Sequence, residues 1–351
     1  MRIVNIMLAH VRGGVETMAV RYHQAMRRAG FDVLSVGHSQ GELFAAVERG
    51  DIPAAEVVRM DAPINHDPFA AWQLRGIDRD FKPDIILTHG NRATGIALLP
   101  FLGTASKTVQ VVHNFRHKNQ VGRLRAAVAV SLSVRDSLRA SHPALPVFEV
   151  LNFAPLDVRP VKAAPEAVPV VGTLSRLHRN KGVDIMLEAV GQLRDRGVEV
   201  HLKIAGDGPE REPLEALSRN LGLEDRVTFE GWVSPAADYL TTLDLFAVPS
   251  RVEPFGLVVA ESMAAGVPVV ASRIDGPREI LKDGGLGRLV AAEDADALAD
   301  AIETAIKDWP DTLARAQSAQ DYAAAHFSLP AGSARLKTVL QQIAPIVANK
   351  A

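Results

Sequence analysis

Two carboxylates eight positions apart, Glu253 and Glu261, flank a predicted helix N-terminus. The apolar run 245–248 before them predicts a buried strand, and an apolar helix is predicted from about Gly256 to Gly266. Ligands bind at this end of the strands in open α/β sheets, and the N–H groups of a helix N-terminus suit phosphate. The pair therefore predicts a site for a ligand with hydroxyls on either side of a phosphate. The alternative is structural: Glu253 caps the helix and Glu261 is a solvated helix residue.

Two cationic side chains follow the first predicted strand of the second half. Arg176 offers a planar fork of donors and Lys181 a compact charge, the two usual ways of holding phosphate oxygens. The Gly-x-x-x-x-Gly-Lys-Ser/Thr spacing of a Walker loop is absent. The next strand-to-helix turn contains Gly206, Asp207 and Gly208. The two glycines permit a tight backbone, and Asp207 is predicted to cap the helix that follows.

Length and composition limit the classes of protein that remain. At 351 residues the chain is long for one core, and its 47% hydrophobic and 23% charged residues are typical of globular proteins. The absence of cysteine excludes disulfides, thiol catalysis and cysteine metal sites, and it fits a reducing compartment. The apolar run 3–9 predicts a first β-strand rather than a signal peptide. No window approaches the roughly 20 apolar residues of a membrane span.

The net charge of −2 is unevenly distributed. Residues 1–155 hold 18 Lys and Arg against 13 Asp and Glu, whereas the remainder holds 21 against 28. Seven basic residues lie between Lys107 and Arg139, opposed only by Asp136. This asymmetry predicts an anionic partner for the first half, either a substrate or a membrane surface. The alternative is a solvated basic helix, which is predicted at 120–127.

Strand-like apolar runs alternate with helical patterns along the chain, which predicts an α/β fold with doubly wound parallel sheets. Prolines at 155, 160, 165 and 169 indicate an interdomain linker. The predicted order is an N-terminal Rossmann-like domain that binds the acceptor, a linker, a Rossmann-like domain that binds the donor, and a helical tail that packs back on the first domain. Their predicted bounds are 1–155, 156–168, 169–325 and 326–351.

The first half carries glycines and polar residues where its strands are predicted to end. Gly13 and Gly14 precede a predicted helix and permit close approach by a ligand, with an ordinary tight turn as the alternative. The Gly-x-Gly-x-x-Gly fingerprint is absent. Polar residues that follow strands include His89, Asn91 and His113, and a polar turn adds Arg116 and Lys118. No metal site is expected, because the histidines lack a nearby carboxylate and the Asp-x-Asp triplets at 78–80 and 294–296 are predicted at helix ends.

Together these motifs resemble the retaining glycosyltransferases of family four, which have the two-Rossmann-domain B fold (GT-B). The resemblance is strongest from 168 to 290 and thinner in the first half. The family often has Asn-Gly at the domain junction, whereas here Phe153 follows Asn152. The motifs are Ser175-Arg176, Asn180-Lys181-Gly182, Gly206-Asp207-Gly208, Glu253-Pro254-Phe255-Gly256, Glu261 and the segment 264–270, with Gly13-Gly14-Val15-Glu16 and His113 in the first half.

The resemblance implies a role for each matching residue. Arg176 and Lys181 hold the donor diphosphate, Glu261 binds the ribose hydroxyls, and His113 contacts the transferred sugar. The implied catalytic group is Arg176, Lys181, Glu253 and His113. The implied donor-binding group is Gly14, Gly206, Asp207, Phe255, Gly256, Leu257 and Glu261. The candidates for acceptor contact are His89, Asn91, Arg116 and Lys118.

The resemblance thus implies a retaining, metal-independent glycosyltransferase (EC 2.4) that uses a UDP- or GDP-sugar in a cleft between its domains and needs no cofactor. A fixed Arg/Lys pair and a helix N-terminus stabilise the charge that develops on a departing nucleoside diphosphate. The expected acceptor is a glycan or glycolipid, anionic in character, in lipopolysaccharide or other cell-surface glycan synthesis. The expected location is cytoplasmic, with peripheral contact between the basic first half and the inner membrane, and no nucleic acid is bound. The alternatives are a sugar-nucleotide epimerase on the same fold and a non-catalytic nucleotide-sugar-binding protein.

Overall fold

A computed structural model describes residues 1–10, 13–115 and 119–349. The chain forms two compact units. Unit 1 comprises Met1–Ala154 together with Leu329–Ala351, and unit 2 comprises Pro155–Ser328. Unit 1 is therefore discontinuous in sequence, whereas unit 2 is one continuous segment.

Unit 1 is built on a seven-stranded parallel sheet with the strand order β3-β2-β1-β4-β5-β6-β7. The order reverses between β1 and β4, which makes that point the topological switch where ligands bind in such sheets. The strands are β1 (Arg2–Met7), β2 (Asp32–Gly37), β3 (Val57–Arg59), β4 (Ile85–His89), β5 (Thr108–Val112), β6 (Ala127–Ala129) and β7 (Val147–Glu149). The helices between them are α1 (Gly14–Arg28), α2 (Glu42–Glu48), α3 (Pro68–Phe81), α4 (Asn91–Ala97) and α5 (Leu132–Ser141).

Unit 2 repeats the plan with a six-stranded parallel sheet of order β10-β9-β8-β11-β12-β13. Its strands are β8 (Val170–Leu174), β9 (His201–Ala205), β10 (Val227–Gly231), β11 (Leu245–Val248), β12 (Val269–Ser272) and β13 (Arg288–Val290). Its helices are α6 (Val183–Asp195), α7 (Arg211–Asn220), α8 (Ala236–Leu240), α9 (Leu257–Ala264), α10 (Asp275–Ile280), α11 (Ala295–Lys307) and α12 (Trp309–Phe327). The predicted fold class, two doubly wound parallel sheets, is confirmed.

Continuous apolar runs explain the central strands of both sheets. Every residue of β4, β5, β11 and β12 is buried. A parallel sheet is covered by helices on both faces, so its strands bury both sets of alternating side chains. Burial of this kind stabilises the fold by roughly 1.5–3 kcal/mol for each large aliphatic side chain.

The last helix, α13 (Leu329–Ala348), belongs to unit 1 and packs against α1. The hydroxyl of Ser333 donates to the carbonyl of Ala25 at 2.7 Å. Gly332 approaches Phe153 so closely that a Cβ at this position would lie 2.1 Å from the ring Cγ. The C-terminal segment is therefore part of the core of unit 1.

One predicted element is wrong. The basic helix expected at 120–127 is only a 3-10 turn, Asn119–Arg123, and β6 already begins at Ala127. Pairing of β6 with both β5 and β7 fixes this register. Arg123 ends this 3-10 turn, and its guanidinium donates to the carbonyl of Leu98 at 3.2 Å.

Candidate active site

The N-terminus of α9 has the geometry that its sequence predicts. Gly256 is the N-cap with φ 90°, and no side chain caps the helix within the described part of the chain. Glu253 does not cap it, which removes the structural alternative for that residue. Its Oε2 lies 2.5 Å from Nζ of Lys181. Phe255 is buried beneath this turn, and Leu257 begins the helix.

Close backbone contacts hold the turns after β8 and β9 against each other. A Cβ on Gly206 would lie 1.8 Å from the carbonyl oxygen of Ser175, and one on Gly208 would lie 2.2 Å from that of Leu177. Leu177 N–H donates to the carbonyl of Asp207 at 2.9 Å. The two glycines are therefore required by packing, whatever ligand the site takes.

The turn that carries Lys181 is fixed to the strand end before Glu253. Gly182, with φ 65°, allows an approach in which a Cβ would lie 2.0 Å from the carbonyl oxygen of Pro249. Arg251 N–H donates to the carbonyl of Asn180 at 2.8 Å. These contacts bring Lys181 and Glu253 together although 72 positions separate them in sequence.

Arg176 and Ser175 provide further polar groups on the turn after β8. Arg176 is exposed and makes no hydrogen bond or ion pair with any residue in the described ranges. The hydroxyl of Ser175 is buried and also lacks a partner there. A buried hydroxyl without a partner costs free energy, so a ligand that accepts from Ser175 would relieve it. Sequence reasoning treated Ser175 only as part of a motif.

Asp207 and Glu261 lie at the carboxyl edge of the same sheet. The predicted cap at Asp207 is wrong, because α7 begins at Arg211 with Glu210 as its N-cap. Asp207 is exposed and accepts from the N–H of Gly208 at 2.8 Å. Glu261 lies in the second turn of α9 and is partly buried.

In unit 1, the start of α1 leaves room for a ligand. The N-cap Gly13 is extended, and no heavy atom of the described residues lies within 4 Å of a Cβ placed on Gly14. Glu16 lies in the first turn of α1, and burial raises the pKa of its carboxyl group. Gly14 thus presents its backbone to open space.

His113 follows β5 and bonds to a histidine behind it. Its Nε2 lies 2.9 Å from Nδ1 of His89, and Nε2 of His89 lies 2.9 Å from Oδ1 of Asn5. Burial lowers the pKa of His113 to about 3. Burial, together with the charge that His113 would carry, holds the pKa of His89 well below its ordinary value. Both rings are neutral at physiological pH.

The acceptor candidates fall into different places. His89 is only 1% exposed, which contradicts direct contact with an acceptor, because His113 and Tyr22 cover it. Asn91 begins α4, and its Oδ1 accepts from Gln120 at 3.3 Å. Asn91 and His113 line the same small cavity. The remaining candidates, Arg116 and Lys118, lie outside the described residues.

The Asp-x-Asp triplets have structural roles. Asp78 pairs with Lys107, Asp80 pairs with Arg79, and Asp294 caps α11 by accepting from Ala297 N–H. Among the described residues, no three His, Asp or Glu side chains are grouped as metal ligands.

Sequence reasoning missed the polar residues behind His113. Asn5 and Ser35 are fully buried in the middle of β1 and β2, and His23 is buried on α1. The available signal was a polar residue inside an otherwise apolar strand, which is costly unless it is hydrogen-bonded.

Comparisons with known proteins show the family of the chain. Residues 157–324 match the family model Glycosyl transferases group 1, and residues 12–147 match Glycosyltransferase Family 4. The structure of Anabaena Alr3699/HepE in complex with UDP superimposes with a TM-score of 0.83 at 23% identity, covering 97% of this chain and 100% of that one.

Two curated relatives come from Rhizobium meliloti (strain 1021), and both are named lipopolysaccharide core biosynthesis glycosyltransferases. LpsD is 30% identical over 236 residues, which are 66% of this chain and 67% of LpsD. LpsE is 39% identical over 144 residues, so that the match spans 41% of each protein. The family resemblance is confirmed: the chain belongs to the family-four glycosyltransferases, with the GT-B fold.

Proposed function

We propose that this protein is a retaining glycosyltransferase that moves a sugar from a UDP- or GDP-sugar to a hydroxyl of lipopolysaccharide or another cell-surface glycan. The observation that carries the proposal is the arrangement at the carboxyl edge of the second sheet. There, Arg176 is unengaged by the described residues, Lys181 is held beside Glu253, and the N-terminus of α9 lacks a side-chain cap. UDP in the Anabaena protein and the named role of the Rhizobium relatives support the choice of donor and acceptor.

These groups suit the departure of a nucleoside diphosphate. As the bond between the anomeric carbon and the phosphate oxygen breaks, negative charge grows on the phosphate. Arg176, Lys181 and the positive end of α9 stabilise that charge, which is why we propose transfer without a metal ion. Glu261 binds the ribose, and in unit 1 the open backbone at Gly14 is available to a ligand.

The ion pair of Glu253 bears on the choice of base. Oε2 of Glu253 already accepts a hydrogen bond from the ammonium group of Lys181 at 2.5 Å, so this oxygen is occupied. We therefore assign proton removal to the donor itself. The acceptor oxygen bonds to the anomeric carbon on the face that the phosphate leaves, and the acceptor proton passes to the departing phosphate oxygen. The anomeric configuration is retained.

Three measurements test the proposal. A thermal-shift screen of nucleotide sugars should raise the unfolding temperature with one UDP- or GDP-sugar, because ligands that bind only the folded state stabilise it. Nuclear magnetic resonance of the product should show the anomeric configuration of the donor, and chelation of divalent cations should leave turnover unchanged. An inverted product would refute retention. Conversion of the donor without an acceptor would favour an epimerase, and binding without turnover across acceptors would favour a non-catalytic protein.

We further propose that the protein works at the cytoplasmic face of a membrane, because its acceptor would be a glycolipid. No described helix combines the length and the apolar character needed to cross a membrane. The basic segment does not carry this proposal: each of its described cations is bound within unit 1. Their partners are Asp78 for Lys107, Leu98 for Arg123, Asn349 for Arg125, Glu149 for Arg135 and Val147 for Arg139.

The proposal of membrane contact rests on exposed apolar side chains of unit 1. Phe69 is 83% exposed and Trp72 is 75% exposed, one turn apart on α3. Ile64 precedes that helix, and Phe101 lies on the 3-10 helix that packs beside it; both are 59% exposed. Aromatic side chains of this kind are favoured at the interface between membrane and water.

The vesicle test uses phosphatidylcholine vesicles with and without phosphatidylglycerol. Changing both Phe69 and Trp72 to serine should lower the sedimented fraction to near background, because each aromatic ring removed from the lipid costs about 1.5–3 kcal/mol. Trp232→Ser is the control, since Trp232 is equally exposed on unit 2. Binding should change little with salt, because apolar contact is not screened. Unchanged sedimentation of the double variant would contradict the proposal.

A further inference from the structure

A continuous chain of hydrogen bonds runs from His113 through the interior of unit 1 to Glu56. Its members, in order, are His113, His89, Asn5, Ser35, His23 and Glu56, and the separation at every link is between 2.9 and 3.1 Å. His113 directly follows β5, and the others lie on β4, β1, β2, α1 and the turn before β3. The catalytic groups assigned above include only the first member of this chain.

At the inner end of the chain, the donor and the acceptor of each hydrogen bond can be assigned. The carboxylate of Glu56 can only accept, and it also binds Arg27 at 2.9 Å. Burial lowers the pKa of His23, with Glu56 opposing, so the ring is neutral. Nε2–H of His23 must therefore donate to Glu56. Its Nδ1 is then an acceptor, which receives the hydroxyl proton of Ser35.

The orientation of Asn5 fixes the middle of the chain. Its amide nitrogen donates to the carbonyl of Ala19 at 3.0 Å and to the hydroxyl of Ser35 at 3.1 Å. A flipped amide would set two carbonyl oxygens against each other at 3.0 Å, so the assignment is unique. The amide oxygen of Asn5 therefore faces His89 and must accept from its Nε2–H.

The donor and acceptor roles along the chain also fix the tautomer of His113. His89 donates through Nε2, so its Nδ1 can only accept, and Nε2 of His113 must carry a proton. A neutral His113 protonated at Nε2 has a lone pair at Nδ1. That nitrogen has no partner within the described ranges of the chain, and His113 lines a cavity with Asn91 and Gln110.

We infer that His89 and Asn5 are positioning residues that hold His113 in the Nε2–H tautomer, so that Nδ1 accepts a hydrogen bond from a hydroxyl of the substrate sugar. The substrate part of this inference rests on the proposed function. The inference also predicts substrate specificity. The site requires a sugar hydroxyl that donates, because a neutral imidazole nitrogen without a proton can only accept.

The tautomer is measured directly by nitrogen-15 NMR of the full-length protein labelled at histidine, with His113→Gln to assign its signals. His113, His89 and His23 should each carry one proton, at Nε2. His113 should stay neutral from pH 8 to pH 4, since burial lowers its pKa to about 3. A proton at Nδ1 of His113, or titration near the ordinary histidine value of about 6.5, would overturn the inference.

Variants of His89 test positioning separately from structure. His89→Gln keeps a side-chain oxygen that can accept from His113, whereas His89→Phe keeps a ring but removes the acceptor. Thermal unfolding first establishes that both variants are folded. His89→Phe should then weaken binding of the nucleotide sugar about tenfold, because one hydrogen bond is lost. His89→Gln should weaken it clearly less. Equal affinity of the two variants would contradict a positioning role.

Sugar analogues test the acceptor role of Nδ1. Donors in which one hydroxyl is replaced by hydrogen or by fluorine are compared by dissociation constant, because fluorine cannot donate. At the position that faces His113, both replacements should weaken binding about tenfold in the natural protein and neither should in His113→Phe. If fluorine retained the affinity that hydrogen loses, His113 would be a donor and the inference wrong. If no nucleotide sugar bound at all, the proposed function would be wrong. The tautomer measurement would still test the hydrogen-bond chain from His113 to Glu56.

Discussion

Arg176→Ala should lower the turnover of the glycosyl donor by about 10²–10³-fold, the loss typical of removing one donor that stabilises charge in a transition state. Because Arg176 is exposed and makes no hydrogen bond or ion pair with the described residues, thermal unfolding should change little. Arg176→Lys keeps the charge but loses the planar fork, so its turnover should be intermediate. Steady-state kinetics with saturating donor measure the effect.

Arg219→Ala is the matched control, because Arg219 is an exposed arginine of the same unit, on α7. Its turnover should equal that of the natural protein. Arg176 gives a cleaner test than Lys181, since removing Lys181 would also leave the partly buried carboxylate of Glu253 without its cation. Full activity of Arg176→Ala would show that the diphosphate is held elsewhere.

Gly206→Ala should destabilise unit 2 by about 3 kcal/mol or more, without removing any functional group. The residue has φ 118°, where side chains are strained, and its Cβ would lie 1.8 Å from the backbone oxygen of Ser175. Backbone atoms cannot move aside as a flexible side chain can. Thermal unfolding should show a fall of about 6–12 °C at 2–4 °C per kcal/mol.

Gly191→Ala provides the opposite control within unit 2. Gly191 lies inside α6, and no heavy atom in the described ranges lies within 4 Å of an added Cβ, so alanine should stabilise the helix by roughly 0.5–1 kcal/mol. Similar unfolding temperatures for the two variants would show that the turns after β8 and β9 are not packed as described.

The parallel sheets could be predicted because strands that are buried on both faces have continuous apolar sequences. The strand predicted at 245–248 coincides with β11, and the helix predicted from Gly256 begins at Leu257. The helix expected at 120–127 is wrong, because β6 begins at Ala127, pairs with β5 and β7, and leaves only a 3-10 turn before it. In the structure Arg123 and Arg125 bond to backbone carbonyls of distant segments.

The candidate site was predictable only in part. Motifs show which residues lie at strand ends, but they do not show which side chains meet. The Lys181–Glu253 pair depends on the order of β8 and β11, and the His89–Asn5 contact joins residues 84 positions apart. Such contacts follow from strand order and register, which local patterns do not contain.

The position of α13 has a consequence for how the protein is made. The ribosome synthesises residues 1–154 first, then all of unit 2, and only then the helix that covers α1. Domains generally fold in the order of synthesis, but here the first to emerge is the last to be completed. Until α13 has been synthesised, the surface around Phe153 and Tyr22 lacks the packing that Gly332 provides. A chain that stops before residue 329 would leave this apolar surface open to chaperones and proteases.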